Sequence, residues 1–146
     1  DYPAALLGLG ATVNTHKRRI AADGFFKGLY ETALESGELI TAVQFPRAAR
    51  AAYVKFKQPA SRFALVGVFV SQGAGGVRVA VTGAKAAAYR DAALEAALAR
   101  SFTPEAAQAV KVSADGMNAD LHASAEYRAA MVSVMAARAV AAANAA

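Results

Sequence analysis

Residues 53–67 read YVKFKQPASRFALVG and decide the fold of this chain. The first five residues interleave aromatic and basic side chains, and the last five form an apolar run that ends at Gly67. Pro59 lies between them and is typical of a turn, because proline cannot donate a hydrogen bond within a sheet. The stretch therefore predicts two strands joined by a turn. Its aromatic and cationic side chains would suit a flat, electron-rich or anionic ligand, although a solvated basic strand face explains the same pattern.

The residues that follow predict one more strand and then helices. Glycines at 73, 75 and 76 separate the apolar runs 63–71 and 77–83, which indicates an antiparallel hairpin, and 51–57 supplies a third strand. Beyond the sheet the sequence is rich in alanine, with apolar residues at helical spacing over 89–100, 104–110 and 124–143. We therefore predict an α+β fold in which a small antiparallel sheet of about three strands packs with a group of three helices.

The last helix carries the clearest local signals. Ser124 is a typical N-cap, with Glu126 and Arg128 in the first turn. The apolar spacing predicts one side formed by Tyr127, Met131, Val134, Met135, Arg138 and Val140.

The residues before the sheet form a separate segment. Pro3 and the apolar run 4–9 predict a short helix, and short β-prone runs from 11 to 45 predict small strands joined by tight turns. Residues 38–45 alternate as a half-buried strand that Pro46 ends, with Leu39, Thr41, Val43 and Phe45 on one face. We divide the chain into 1–46 and 47–146, with a linker-like stretch at 47–50.

Composition excludes several classes of protein. The 146 residues weigh 15.0 kDa, and 41 alanines account for about half of the 56% hydrophobic content. No apolar stretch reaches the roughly 18 residues that a membrane span needs. The chain has no cysteine, which excludes a disulfide, a thiolate nucleophile and a cysteine-ligated iron–sulfur cluster. The net charge of +5 comes from scattered basic residues, so the sequence indicates no nucleic-acid-binding face.

No motif indicates catalysis or a metal ion. Asp120, His122 and Ser124 are the side-chain types of a hydrolytic triad, but such triads depend on spatial geometry and not on adjacency. Asp115 and Asn118 precede them without the spacing of a calcium loop, and the chain has two histidines in all. We predict no catalytic residue and no metal site.

Five stretches together resemble a known family. The chain is similar to the C-terminal part of the FAD-binding medium subunit of the carbon monoxide dehydrogenase group of molybdenum hydroxylases, which are relatives of the flavin domain of xanthine dehydrogenase. The stretches keep their order over almost the whole chain: DYPAALL (1–7), FFKG with YET (25–28 and 30–32), ELIT closing at Pro46 (38–46), residues 53–67, and DLHASAEYR (120–128).

The resemblance implies an oxidoreductase subunit in the bacterial cytoplasm. In that family the flavoprotein takes electrons from the [2Fe-2S] clusters of a small subunit, after the molybdenum cofactor of a large subunit has oxidised the substrate. FAD then passes the electrons to an acceptor. Residues 1–46 would complete the FAD-binding domain, and 47–146 would form the C-terminal domain beside it.

The resemblance also implies four flavin-site residues. Ile40 matches a position whose backbone and apolar side chain lie against the flavin. Lys55 matches a lysine that contacts FAD, and Lys57 takes that place if the register slips by two residues. Phe63 falls where relatives have an aromatic residue over the isoalloxazine ring, although residues 61–62 are Ser-Arg here in place of the usual Gly-Asp.

The glycine-rich loops that hold the FAD pyrophosphate in this family have no counterpart in these residues. Backbone N–H groups of such loops carry most of the diphosphate binding. We therefore expect a fragment of a longer subunit that binds FAD poorly by itself and is inactive when isolated. The alternative is a flavin-free assembly or interaction module that keeps the fold. A third hypothesis, nucleic-acid binding, rests on the basic pI alone.

Overall fold

The computed structural model describes residues 1–146 as an α+β fold. None of its four helices is long and apolar enough to cross a membrane. In chain order the elements are α1 (Tyr2–Leu9), β1 (Thr12–Thr15), β2 (Arg19–Ala21), a 3-10 turn (Ala22–Gly24), β3 (Phe26–Gly28), β4 (Glu31–Thr32), β5 (Ile40–Gln44), β6 (Arg50–Lys57), β7 (Ala64–Gly73), β8 (Gly76–Thr82), β9 (Tyr89–Arg90), α2 (Ala92–Arg100), α3 (Pro104–Gln108) and α4 (Ala125–Asn144).

A four-stranded antiparallel sheet in the order β6-β7-β8-β9 lies at the centre. The predicted hairpin is confirmed, since Gly73 pairs with Gly76 across a two-residue turn. The predicted start of the first C-terminal helix at residue 89 is wrong. Tyr89 and the residue after it pair with β8 as a fourth strand, and α2 begins only at Ala92, where the Asp91 side chain accepts a hydrogen bond from the backbone N–H of Leu94.

Both faces of this sheet are covered, because side chains alternate along each strand. Val68 and Val81 belong to the larger core cluster, together with residues of α2, α3 and α4. Phe69 belongs to the second cluster, which α1 and the strands before the sheet complete. Helix α1 lies so close that a Cβ at Gly8 would be 2.2 Å from the Phe69 ring.

Helix α4 supplies the widest cover of the sheet. The Ser124 cap is confirmed, as its Oγ accepts a hydrogen bond from the backbone N–H of Tyr127 at 3.2 Å. The predicted apolar side is wrong in part, because Arg138 is exposed and Tyr127 is 46% exposed. Alanine dominates the buried face, so the spacing of the large residues does not define it. That face consists of Arg128, Ala129, Val132, Ser133, Met135, Ala136, Ala137, Ala139, Val140 and Ala143.

The segment before the central sheet contains two small antiparallel sheets, β2-β1-β5 and β3-β4. Strand β5 is less buried than its alternation predicts, because it is an edge strand that pairs only with β1. Leu39, just before it, is 68% exposed. Beside it, the buried carboxylate of Glu38 accepts hydrogen bonds from Arg18, from Thr15 and from the backbone N–H of Glu35. The Arg18 guanidinium is the main reason that the pKa of Glu38 lies far below its usual range.

Candidate functional site

A groove of about 490 Å³ opens where the first segment meets one end of the central sheet. Four parts of the fold form it: the start of α1, the β3–β4 turn, the ends of β6, β7 and β8 with the residues that follow β8, and the loop before α4. The lining residues are Asp1, Pro3, Leu29, Tyr30, Lys55, Phe63, Ala64, Thr82, Gly83, Lys85, Ala86, Ala87, Ala88 and Asn118.

Lys55 reaches the groove from β6 and is held by a carboxylate. Its Nζ lies 2.7 Å from Asp1 Oδ2, and the hydroxyl of Tyr53 donates to Asp1 Oδ1 at 2.6 Å. Burial raises the pKa of Tyr53, which keeps its hydroxyl protonated and able to donate. An ammonium group has three hydrogens, so Lys55 retains donors for a ligand beyond Asp1.

Phe63 also lines the groove, from the turn between β6 and β7. Two backbone hydrogen bonds close this turn: Gln58 N–H donates to the Phe63 carbonyl at 2.9 Å, and Arg62 N–H donates to the Gln58 carbonyl at 2.8 Å. Arg62 has a φ of 62°, in the left-handed region. The turn leaves the Phe63 side chain 79% exposed. An exposed aromatic face of this kind can stack on a flat ring.

The structure brings Lys55 and Phe63 to one groove but leaves the other two candidates outside its lining. Lys57 is an exposed residue at the end of β6. Ile40 lies on the edge strand β5, where it is 48% exposed. Contact of any of the four with a flavin stays a prediction.

Sequence reasoning missed several groove residues that come from distant parts of the chain. Leu29 and Tyr30 form the two-residue turn between β3 and β4, where Tyr30 is fully exposed at a φ of 56°. Such a turn usually takes glycine or asparagine, so an aromatic residue there is a signal that could have marked it. Thr82 and Asn118 carry no comparable signal, because only the fold brings them to the groove.

The lining fits one portion of FAD and not another. Aromatic side chains, an ammonium group and backbone at Gly83 suit a flat ring with polar edges. The lining contains one glycine and no glycine-rich loop, so it offers no cradle for a diphosphate. No cluster of three or more His, Asp or Glu side chains is placed to hold a metal ion.

Comparison with known proteins finds one family model and several solved structures that match this chain. Residues 1–48 match the model of the FAD binding domain in molybdopterin dehydrogenase. A carbon monoxide dehydrogenase from Hydrogenophaga pseudoflava that lacks the Mo-pyranopterin moiety of its molybdenum cofactor is 35% identical, with a TM-score of 0.81 over 99% of this chain and 56% of that chain. Reconstituted CO dehydrogenase from Oligotropha carboxidovorans is 27% identical, with a TM-score of 0.78 over 99% and 56%.

Quinoline 2-oxidoreductase from Pseudomonas putida 86 shares the fold, with a TM-score of 0.78 at 23% identity over 98% of this chain and 55% of that chain. The chain thus spans a little over half the length of the solved chains that it matches. No protein of curated function matches it.

The fold and the family match make the chain similar to an FAD-binding portion of a molybdopterin dehydrogenase. More narrowly, the chain resembles the matched carbon monoxide dehydrogenase chains, at 27–35% identity over 56% of their length.

Proposed function

We propose that the chain forms one wall of the flavin site in the electron-transfer subunit of a molybdenum hydroxylase. When bound, FAD accepts electrons from the iron–sulfur clusters of a partner and passes them to an acceptor. The main support is that Lys55 and Phe63, which the family resemblance assigns to the flavin, line the same groove although eight residues separate them.

Each groove residue has a separate task in this proposal. Phe63 offers its exposed ring to one face of the isoalloxazine. Lys55 provides positive charge beside the polar edge of the ring, and Asp1 fixes the position of that charge. Ile40 lies on the edge strand β5, outside the groove. It contacts the flavin only if FAD, bound also by the rest of the subunit, extends from the groove to β5. Lys57 is the substitute for Lys55 if the family register differs by two residues.

The assembly is also part of the proposal. Residues 1–46 complete the FAD-binding domain, and 47–146 form the domain that packs beside it. The diphosphate is bound by the remainder of the subunit, since this groove has no cradle for it. An iron–sulfur small subunit and a molybdenum large subunit are the partners, and the bacterial cytoplasm is the location. These assignments rest on the resemblance to the family.

The test is to replace Lys55 and Phe63 with alanine, one at a time, in the complete subunit. We expect each variant to retain less FAD, or to hold FAD whose rate of reduction differs from that of the wild type. Lys111→Ala is the control for Lys55, because Lys111 is an exposed lysine outside the groove. Leu121→Ala serves the same purpose for Phe63, since Leu121 is a 91% exposed apolar residue outside the groove. Unchanged flavin content and reduction in both test variants would falsify the site.

The absence of a diphosphate cradle favours one alternative, a flavin-free assembly or interaction module with the same fold. Isolation of the native protein under mild conditions separates the two functions. The electron-transfer subunit is supported if the polypeptide has an intact mass of about 30 kDa or more, twice that of this chain, and is isolated with FAD and with molybdenum and iron–sulfur partners. A native 15.0 kDa species without flavin supports the module.

A further inference from the structure

Arg128 is buried in the first turn of α4, with only 3% of its surface exposed. Its Nη1 donates to the carbonyl oxygen of Leu65 at 2.7 Å and to that of Gly83 at 3.3 Å. Its Nη2 donates to Asp120 Oδ2 at 2.7 Å. The guanidinium thus joins the last helix to the start of β7, to the end of β8 and to the loop before the helix.

Both carbonyl groups belong to backbone at the wall of the groove. Gly83 lines the groove, and Leu65 follows Ala64, which also lines it. A Cβ on Gly83 would lie 2.3 Å from the Ala64 carbonyl oxygen and 2.8 Å from that of Leu65, so the two backbone segments are in direct contact. Asn118, another lining residue, donates its Nδ2 to the Gly83 carbonyl at 3.0 Å.

Charge explains why an arginine occupies this position. Two carbonyl oxygens that converge on one point repel each other, and a permanently charged guanidinium between them turns that repulsion into charge-assisted hydrogen bonds. Asp120 supplies the compensating charge. Its pKa is lowered, chiefly because its carboxylate accepts the backbone N–H of His122, and Arg128 lowers it further. A buried guanidinium without carbonyl acceptors and a carboxylate partner would destabilise the fold.

We propose that Arg128 is a positioning residue for the flavin groove. It does not line the groove itself. It acts by fixing the backbone at Leu65 and Gly83, and therefore the wall against which a flat ring packs. This inference rests on the flavin site proposed above.

The test uses Arg128→Lys in the complete flavoprotein subunit. Lysine keeps the positive charge, but its one terminal nitrogen cannot hold two carbonyls and Asp120 in the planar geometry of a guanidinium. We expect FAD to bind about tenfold more weakly, which is the loss typical of one charge-assisted hydrogen bond. We also expect the visible absorption spectrum of FAD bound at saturation to shift. Arg138→Lys is the matched control, because Arg138 is exposed on the same helix.

Two measurements separate the outcomes. A purely structural role would lower the melting temperature and leave the spectrum of the bound flavin unchanged, and that result overturns the positioning role. Wild-type affinity and spectrum in Arg128→Lys overturn it as well. In that case, loss of flavin from the Lys55 and Phe63 variants would still support the proposed flavin site. If those two variants also retain normal flavin, both proposals fail.

If Arg128→Lys does not fold, Asp120→Asn tests the positioning role of Arg128 instead. The Asp120 side chain is 46% exposed, so its replacement is tolerated better than that of a buried group. It weakens the charge partner of the guanidinium and leaves the carbonyl contacts in place. We expect a smaller loss of FAD affinity in the same direction, and unchanged affinity and spectrum would refute the role of Arg128.

Discussion

Replacing Gly83 with alanine tests whether the wall of the groove is rigid backbone. Gly83 has a φ of +80°, where a side chain costs about 1–2 kcal/mol. The new Cβ would also lie 2.3 Å from the Ala64 carbonyl oxygen, and forcing backbone apart in a packed region costs about 1–3 kcal/mol. The free energy of unfolding should therefore fall by about 2–5 kcal/mol, a large fraction of the total for a domain of this size.

Urea unfolding followed by circular dichroism measures this change. With an m-value of about 2 kcal/mol/M, the unfolding midpoint of Gly83→Ala should drop by roughly 1–2.5 M. Gly75→Ala is the control, since a Cβ there meets nothing within 4 Å and its φ is not positive. Its free energy of unfolding should stay within about 0.5 kcal/mol of the wild type. If the two variants unfold at the same urea concentration, the reasoning about Gly83 is wrong.

Two further predictions concern stability away from the groove. Leu98→Ala removes a fully buried side chain from the main core and should lower the free energy of unfolding by about 3–5 kcal/mol in the same urea assay, whereas Leu121→Ala, at a 91% exposed site, should change it by less than about 0.5 kcal/mol. The Glu38→Gln variant should melt at a lower temperature than the wild type at neutral pH. The reason is that folding lowers the pKa of Glu38, so ionised Glu38 stabilises the fold at pH values above its pKa in the unfolded state, about 4.3. That difference in melting temperature should shrink as the pH falls below 4.3 toward the folded pKa, and a difference that is constant with pH would contradict this account of Glu38.

Much of the fold could be predicted because its signals are local. Glycines set the β7–β8 hairpin, Pro3 marks the start of α1, and Ser124 marks the start of α4. The strand at Tyr89 could not be predicted, since two residues carry no periodicity and only pairing with β8 makes them a strand.

The buried face of α4 escaped prediction for a different physical reason. Half of its members are alanines, whose small size suits close packing on a sheet but gives little contrast in hydrophobicity. The sequence placed Arg128 in the first turn of α4 without predicting its burial, because charged residues are seldom buried unless paired. Its burial depends on carbonyl groups of Leu65 and Gly83 that lie more than forty residues earlier in the chain.

The candidate site was predictable only in part. The interleaved lysines and aromatics pointed to residues 53–67, and the family resemblance singled out Lys55 and Phe63 within them. Outside residues 53–67 the groove is formed by four separate stretches of chain, so no local pattern could assemble it.

The cover on both faces of the central sheet sets the order in which the chain can fold as it is made. Helix α1 leaves the ribosome before the sheet on which it packs, and its packing surface on β7 and β8 is complete only when residue 82 has emerged. The opposite face then waits for α4, which ends at residue 144. At a synthesis rate of about 5–20 residues per second, that valine-rich face stays open to water for roughly 3–12 s. Until α4 is released, this face is an apolar surface on which the nascent chain can aggregate or bind a chaperone.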